Sequence, residues 1–225
     1  MASFIIILFI TIVGAVVYSI IRKLNPISEA KAPEPVAQTL TEWDLRCMAF
    51  HESGHAVCSY YLPEREELIK VTICPDEESF GMIKTATSSH HNATETSLSS
   101  MISTFLAGPL SEEIFLKVRT TSGIHDFANA RSIAVDMVTK FGMGRQLGKL
   151  VSSSIYDNSY CLFSEEFRRK TDEDVLAIIR DAEINARNFL VSHSHLVLNL
   201  AELLLERQTL EKEEIRAFFN SVESN

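Results

Sequence analysis

The chain has 225 residues, a formal net charge of −9 at pH 7 and 46% hydrophobic residues. The net charge is negative and no extended basic patch follows Arg22 and Lys23, since the longest later run is Arg168–Lys170, so the composition argues against nucleic acid as a partner. Four cysteines occur without any CxxC pairing: Cys47, Cys58, Cys74 and Cys161. This spacing predicts neither a disulfide framework nor a cysteine-ligated metal site, and free thiols fit a reducing compartment.

The first predicted element is a transmembrane anchor at residues 3–21. This stretch is uncharged and rich in Ile, Val, Phe and Leu, and as a helix it would measure roughly 28 Å, close to the hydrocarbon thickness of a bilayer. Arg22 and Lys23 follow it and no basic residue precedes it. The positive-inside rule then predicts a single-pass protein whose body faces the cytoplasm or the equivalent organellar side. A cleaved signal peptide, the alternative, would carry its positive charge before the apolar core.

Residues 22–40 are expected to form a linker, because Pro26, Pro33 and Pro35 interrupt them and no apolar periodicity is present. Residues 41–222 have a suitable length for one compact domain. The sequence therefore predicts a membrane anchor, a short linker and a single folded body.

Residues 41–62 predict a helix that opens the body. No proline interrupts the segment and one follows it directly, which provides a stop. Either Thr39 with Glu42 or Thr41 with Asp44 can form the starting cap. Apolar residues flank the central positions on both sides, so we expect the helix to be buried.

This helix contains the pattern HExxH at residues 51–55. His51 and His55 share one helix face and can reach the same metal ion, while Glu52 lies beside the metal as a general base. Two nitrogen ligands and a carboxylate base are typical of zinc hydrolases. Cys58 continues the same stripe, and we interpret it as a small buried residue rather than a ligand. On its own, the pattern also fits two core histidines that match by chance.

A catalytic zinc site needs a third protein ligand and one open position. The context favours Asp126, which follows a turn-rich run and begins a helical pattern, where the helix dipole stabilises a carboxylate. An ordinary N-cap role would also explain Asp126, and spacing alone does not separate it from its neighbour His125. The other histidine candidates are His90, His91, His193 and His195.

The β-type patterning of residues 68–74 and 81–88 predicts a short sheet or hairpin with an acidic turn between the strands. An extended polypeptide substrate could pair with an edge of this sheet, which would give sequence-tolerant recognition. The residues expected to bind it are Val71, Thr72, Ile73 and Cys74. An ordinary edge strand without a binding role is the alternative.

The rest of the body predicts helices at residues 96–116, from Asp126 onward, and at 166–192, 196–207 and 210–221. The fold class is therefore mainly α with a small β element. Gly108-Pro109 is a candidate kink, and we interpret the acidic run Asp172–Asp174 as a solvated helix start. Glu112 and Glu113 could orient a zinc histidine through hydrogen bonds or form surface ion pairs.

Several segments in a fixed order resemble the FtsH-type membrane-bound zinc proteases, and the resemblance extends from about Thr41 to Phe219. The segments are MAFHESGHAV, LIKVTICP, FLAGPLSEEIF, TTSGIHDFANAR, MVTKFGMGRQLG, DEDVLAIIRDAEINARNFL and LAELLLERQTLEKEEI. Ordered motifs of this kind are far more specific than HExxH alone. The chain is thereby identified as a member of this family, represented by its zinc-metallopeptidase domain at residues 41–222.

The resemblance implies that His51, His55 and Asp126 bind zinc and that Glu52 is the catalytic base. It favours Asp126 over His125 as the third ligand. It implies a membrane-anchored zinc metalloendopeptidase that hydrolyses unfolded or membrane-associated proteins. It also implies assembly into a ring, a homo-oligomer such as a hexamer, or a hetero-assembly with an ATPase-bearing relative.

Three departures from the family pattern qualify this interpretation. The family carries an ATPase module before its peptidase domain, whereas these 225 residues contain no GxxxxGK[ST] phosphate loop. We therefore expect a peptidase without an ATPase of its own. Pro109 replaces the usual arginine, and Asp76 and Glu77 replace a basic residue and a glycine; these positions bear on assembly and substrate preference. The alternative function is a non-catalytic scaffold or regulatory subunit of an FtsH-like assembly.

Overall fold

The computed structural model describes residues 40–62, 67–75, 81–85, 92–150 and 164–223. The predicted anchor at residues 3–21 lies outside the described residues, as does the predicted linker at 22–40 except for its last residue. Among the helices that are described, none combines the length and the hydropathy that a bilayer span requires.

The described part of the chain contains six α-helices and three short strands. In chain order they are α1 (Glu42–Tyr61), β1 (Leu68–Thr72), β2 (Met82–Thr85), α2 (Glu95–Ser111), α3 (Ile124–Thr139), α4 (Glu165–Ser192), α5 (Ser194–Arg207), β3 (Thr209–Glu211) and α6 (Lys212–Glu223). A π-helical segment, Glu112–Leu116, continues directly from α2. The predicted mainly α fold with a small β element is confirmed.

Helix α1 begins with a capping box, the second of the two caps that the sequence allows. The backbone N–H of Asp44 donates to Thr41 Oγ1 at 3.2 Å, and the backbone N–H of Thr41 donates to Asp44 Oδ2 at 2.9 Å. These two bonds satisfy donors that the first turn of a helix leaves without partners. Nearly all of the helix from Ala49 to Cys58 is buried, so the HExxH pattern lies inside the body.

Helices α1 and α2 approach each other closely at Gly54. A Cβ atom at this position would lie only 2.5 Å from the backbone oxygen of Ala107 and 2.6 Å from the Cβ of Ser111. Only glycine therefore allows the two helices to touch at this distance. The close approach brings the second half of α2 against the face of α1 that carries the two histidines.

The three strands form one antiparallel sheet in the order β2-β1-β3. Residues 210–221, predicted as one helix, contain instead part of strand β3 and then helix α6. A strand of three residues is too short to show a period in the sequence, and its pairing with β1 depends on chain contacts more than 130 residues apart. The structure thus adds a strand that patterning alone does not reveal.

The sequence predicts an exposed strand edge for substrate at Val71, Thr72, Ile73 and Cys74. The edge placement is wrong, because β1 is the central strand of the sheet. Val71 is fully buried and pairs with Ile83 of β2 on one side and with Leu210 of β3 on the other. Beyond the strand, the backbone N–H of Ile73 donates to the carbonyl oxygen of Gln208 at 2.9 Å. An added strand has no free edge to pair with here.

The interpretation of Asp172–Asp174 as a solvated helix start is also wrong. Helix α4 already begins at Glu165, and Asp174 is only 3% exposed. Its carboxylate accepts the backbone N–H of Gln146 at 3.0 Å and that of Leu147 at 3.3 Å. Asp174 therefore anchors the turn that follows α3, a role that an acidic run in a sequence does not suggest.

Candidate metal centre

Three side chains with metal-binding atoms converge between α1 and α3. His51 and His55 lie on the same face of α1, and Asp126 lies in the first turn of α3. The Nε2 atom of His51 is 3.1 Å from the Nε2 atom of His55 and 3.1 Å from Asp126 Oδ2, while His55 Nε2 is 3.5 Å from Asp126 Oδ1. In the described part of the chain, this is the one group of three or more such residues that could hold a metal ion.

The spacing of these atoms fits a zinc ion. Ligand atoms bound at about 2.0–2.1 Å and at tetrahedral angles lie roughly 3.3 Å from one another. Two of the observed separations, both 3.1 Å, are slightly shorter than this value, and the third, 3.5 Å, is slightly longer. Two imidazole nitrogens and a carboxylate oxygen also suit zinc chemically, and as electron-pair donors they repel one another unless a cation or protons lie between them.

The opposite nitrogen of each imidazole is held by a hydrogen-bond acceptor. His55 Nδ1 lies 2.7 Å from the backbone oxygen of Thr104, and because a carbonyl oxygen only accepts, this nitrogen carries the proton. His51 Nδ1 lies 2.6 Å from Glu112 Oε1. Both contacts leave Nε2 as the nitrogen that faces the other ligands, which is the arrangement that outer hydrogen-bond partners of a metal site produce.

Glu112 and Glu113 differ completely in their surroundings. Glu112 is 1% exposed; burial opposes its charged form, but hydrogen bonds from His51 and two hydroxyl groups outweigh this and lower the pKa of the carboxyl. Glu113 instead forms ion pairs with Arg119 at 2.8 Å and with Arg187 at 3.0 Å. Of the two residues, Glu112 alone contacts an expected zinc histidine.

The electrostatics of the cluster favour a positive charge at its centre. Burial acts to lower the pKa of His51, but hydrogen bonds to Asp126 and Glu112 raise it to about 9. For Asp126, burial acts to raise the pKa of the carboxyl, and the contacts with the two histidines hold it well below its ordinary value. The same site that attracts a metal cation therefore attracts a proton when the metal is removed.

Glu52 is buried beside the cluster. It is 6% exposed, and burial raises the pKa of its carboxyl despite the opposing effect of the nearby histidines. A raised pKa suits a carboxylate that takes up and releases a proton near neutral pH. Its Oε1 atom lies against the backbone of Gly81, where a Cβ atom would come within 2.5 Å of it. The residue directly before β2 thus lies next to this carboxylate.

Gly108 of α2 lies directly against the two histidines of the metal centre. A Cβ atom at Gly108 would collide with Nε2 of His55 and would lie 2.8 Å from Nε2 of His51. Every larger residue would therefore occupy the space in front of both nitrogens. The adjoining Pro109 lies within α2 and contacts the loop before α3, since a Cβ at Gly123 would lie 2.5 Å from Pro109 Cγ.

The remaining sequence candidates are not brought to the centre. His125 and His195 are exposed, whereas His193 stacks on Phe189 with 4.0 Å between ring centroids; His90 and His91 lie outside the described residues. The N-cap alternative for Asp126 does not hold, because Gly123 is the N-cap of α3. Cys58 is fully buried, and burial raises the pKa of its thiol to about 12.

Sequence reasoning did not single out the residues that complete this arrangement. Gly81 and Gly108 are isolated glycines whose role depends on close contacts between elements. Thr120 and Ser122 belong to a hydroxyl-rich run that suggests only a turn, yet both side chains donate hydrogen bonds to Glu112. The hydroxyl-rich run before Asp126 is the feature of the sequence that indicates these side chains, but only the folded chain shows that Glu112 is their partner.

Comparison with known proteins gives a consistent result. Residues 38–218 match the sequence model of peptidase family M41. The chain is 31% identical over 186 residues to the ATP-dependent zinc metalloprotease FtsH of Thermobaculum terrenum, a match that covers 79% of this chain and 29% of the relative. It is 32% identical over 171 residues to human ATP-dependent zinc metalloprotease YME1L1, covering 75% of this chain and 22% of the relative. A third relative, FtsH of Thermus thermophilus, is 30% identical over 189 residues, covering 82% and 30%. The chain spans less than a third of the length of these relatives.

Proposed function

Because the chain belongs to peptidase family M41, we propose that it is a zinc metalloendopeptidase. In this proposal His51, His55 and Asp126 hold the zinc ion and Glu52 is the general base. The observation that carries it is the convergence of two Nε2 atoms and the two oxygens of the Asp126 carboxylate at 3.1–3.5 Å, with Glu52 buried beside them. The relatives named as zinc metalloproteases support the choice of metal and reaction.

The division of labour in catalysis follows from this arrangement. Zinc bound there would act as a Lewis acid toward the scissile carbonyl and would lower the pKa of a water molecule toward about 7. Glu52 accepts a proton from the attacking water and delivers it to the nitrogen of the leaving amine. Burial raises the pKa of the Glu52 carboxyl, which favours its uptake of a proton. Glu112 and the carbonyl oxygen of Thr104 keep the two imidazoles in the required orientation.

The substrate is proposed to bind along β2 rather than along β1. Among the described strands, β2 has a partner on one side only, whereas β1 has partners on both. Gly81, directly before β2, contacts the Glu52 carboxylate, so a polypeptide paired with the outer edge of β2 would pass the base. Main-chain pairing of this kind tolerates many side chains, which suits unfolded substrates.

The proposal also includes the energy source for substrate unfolding and the location of the peptidase domain. The named relatives are ATP-dependent, and the 225 residues contain no phosphate-binding loop of the Walker type. We propose that residues 41–222 catalyse hydrolysis of accessible segments without nucleotide, and that any unfolding of substrates is performed by an ATPase outside these residues. The uncharged apolar run at 3–21 supports attachment to a membrane, with the peptidase domain on the cytoplasmic or equivalent side.

Assembly is proposed on the family resemblance alone. A ring of identical chains, such as a hexamer, or a mixed assembly with an ATPase-bearing relative would each present several peptidase sites together. Light scattering of the purified chain, alone and mixed with such a relative, distinguishes these two forms.

The test of the proposed function is cleavage of an unfolded protein, such as reduced casein, by the purified full chain with zinc and without ATP. Glu52→Gln removes the base while keeping the size of the side chain, and we expect a loss of at least about 1,000-fold in rate. Glu42→Gln, at an exposed position of the same helix, is the matched control and should retain full activity. Equal cleavage by the Glu52→Gln variant would contradict the proposed base. Absence of cleavage by the unaltered, zinc-loaded chain would favour the scaffold or regulatory function.

A further inference from the structure

The loop before α3 is tied to the metal centre through two hydroxyl groups. Thr120 Oγ1 donates a hydrogen bond to Glu112 Oε2 at 2.7 Å, and Ser122 Oγ donates to Glu112 Oε1 at 2.5 Å. The backbone N–H of Ser122 in turn donates to Thr120 Oγ1 at 3.1 Å, which closes a tight turn. Both oxygens of one buried carboxylate therefore have donors from the same three-residue segment.

Glu112 thereby accepts three hydrogen bonds, two from this segment and one from α1. The third comes from Nδ1 of His51, at 2.6 Å from the same oxygen that Ser122 contacts. Ser122 Oγ also lies only 3.3 Å from this Nδ1 atom. A carboxylate that accepts three hydrogen bonds on its two oxygens has little freedom to rotate. Its orientation toward His51 is set by the loop as well as by α2.

The same loop delivers Asp126. Gly123 is the N-cap of α3 and Asp126 follows three residues later, so a displacement of the segment at residues 120–122 is transmitted to the Asp126 carboxylate. The segment at residues 120–122 is thus connected to two expected zinc ligands, which lie on different helices. His51 is reached through Glu112, and Asp126 is reached through the loop backbone.

We propose that Thr120 and Ser122 are positioning residues of the metal centre, whose hydroxyl groups fix the His51 imidazole through Glu112 and hold the loop that presents Asp126. This inference rests on the proposed function, in which His51 and Asp126 bind zinc. In this inference, the hydroxyl groups of the loop raise the zinc affinity above the value that the three ligands alone would give. A purely structural role would instead stabilise the loop without changing the metal site.

The experiment measures zinc affinity of the full chain by competition with a chromophoric chelator at fixed pH. Ser122→Ala and Thr120→Val remove one hydroxyl each, and we expect each to weaken zinc binding about 10-fold, as other outer hydrogen-bond partners do. Thr120→Ser keeps the hydroxyl and should restore affinity to within about 3-fold of the unaltered chain. Thr121→Val is the matched control, because Thr121 is exposed and its hydroxyl bonds to no residue that the structure describes.

A second readout separates positioning from stability. Cobalt(II) in place of zinc gives visible absorption bands that depend on ligand geometry, and these bands should change in Ser122→Ala and Thr120→Val but not in Thr121→Val. Unchanged zinc affinity and unchanged cobalt spectra in both hydroxyl-deleted variants, with only lower thermal stability, would overturn the inference.

Circular dichroism of the metal-free chains checks folding. If Thr120→Val does not fold, the test is made with Ser122→Ala, which is the smaller change. Failure of the unaltered chain to bind zinc would overturn the proposed function together with this inference.

Discussion

Nδ1 of His51 lies 2.6 Å from Oε1 of Glu112, a residue 61 positions later in the chain. The contact joins α1 to the π-helical segment that continues α2, and the Glu112 side chain is almost completely buried. A charged acceptor at this distance fixes the tautomer of the imidazole and raises the basicity of the nitrogen that faces the metal. The chemistry of His51 therefore depends on a residue that is not itself a ligand.

Replacement of Glu112 by glutamine is expected to weaken zinc binding by about 10–100-fold, because the amide removes the negative charge that polarises His51. Glu113→Gln is the control, since Glu113 pairs with Arg119 and Arg187 instead of with the metal centre. The measurement is chelator competition on the full chain at pH 7.5. Equal losses in both variants would show that the effect does not arise from the His51 contact.

The metal-free protein is expected to lose stability between about pH 6.5 and pH 9. The folded-state pKa of His51 is raised to about 9 from 6.5, so its contribution to the free energy of unfolding is complete below pH 6.5 and disappears as the pH rises through 9. We expect a decrease of about 10 °C in the melting temperature of the chelator-treated chain across this window. His51→Ala should reduce this decrease, whereas His195→Ala, at an exposed position, should retain it in full. A melting temperature that rises with pH would contradict the sign.

Gly81→Ala should impair catalysis and leave zinc binding intact. A Cβ atom at this position would lie 2.5 Å from Glu52 Oε1, and the flexible carboxylate would have to move away. We expect kcat to fall about 100-fold, less than the loss in Glu52→Gln, because the base is displaced rather than removed. Zinc content, measured by elemental analysis of the dialysed protein, should remain that of the unaltered chain. Normal turnover in this variant would show that Glu52 is not required in the position that it occupies here.

Asp174→Ala is expected to destabilise the fold by about 1–3 kcal/mol, because it removes the buried carboxylate that accepts two backbone N–H groups of the turn after α3. Asp172→Ala removes an exposed carboxylate two residues earlier in the same helix and should change stability by less than about 0.5 kcal/mol. Urea unfolding of both variants gives the comparison. Similar midpoints for the two would mean that the buried carboxylate contributes no net stability.

Local patterns were sufficient to predict most of the helices and the pairing of His51 with His55, whereas the choice of Asp126 over His125 depended on the family resemblance. The HExxH spacing and the apolar flanks of α1 follow from the helical period, and the capping box of Thr41 and Asp44 is a contact within a single turn. The helices α4 and α5 begin within two residues of their predicted starts and end at the predicted residues. Such features depend on neighbours in sequence, which the chain itself displays.

Features that depend on distant contacts were not predictable in this way. The role of β1 as the central strand depends on β3, which is three residues long and pairs across more than 130 residues. The burial of Asp174 depends on a turn that folds back from the end of α3. The link from Ser122 to Glu112 likewise depends on the loop meeting the π-helical segment. In each case the residue type permits several environments, and tertiary packing selects one.

The central claim is that His51, His55 and Asp126 together bind zinc, and the most direct measurement is the zinc content of the dialysed full chain and of two neighbouring variants. Asp126→Ala removes the proposed third ligand, whereas His125→Ala removes an exposed imidazole next to it. We predict about one zinc ion per chain for the unaltered protein and for His125→Ala, and almost none for Asp126→Ala. Retention of zinc by Asp126→Ala together with its loss in His125→Ala would contradict the proposed metal centre.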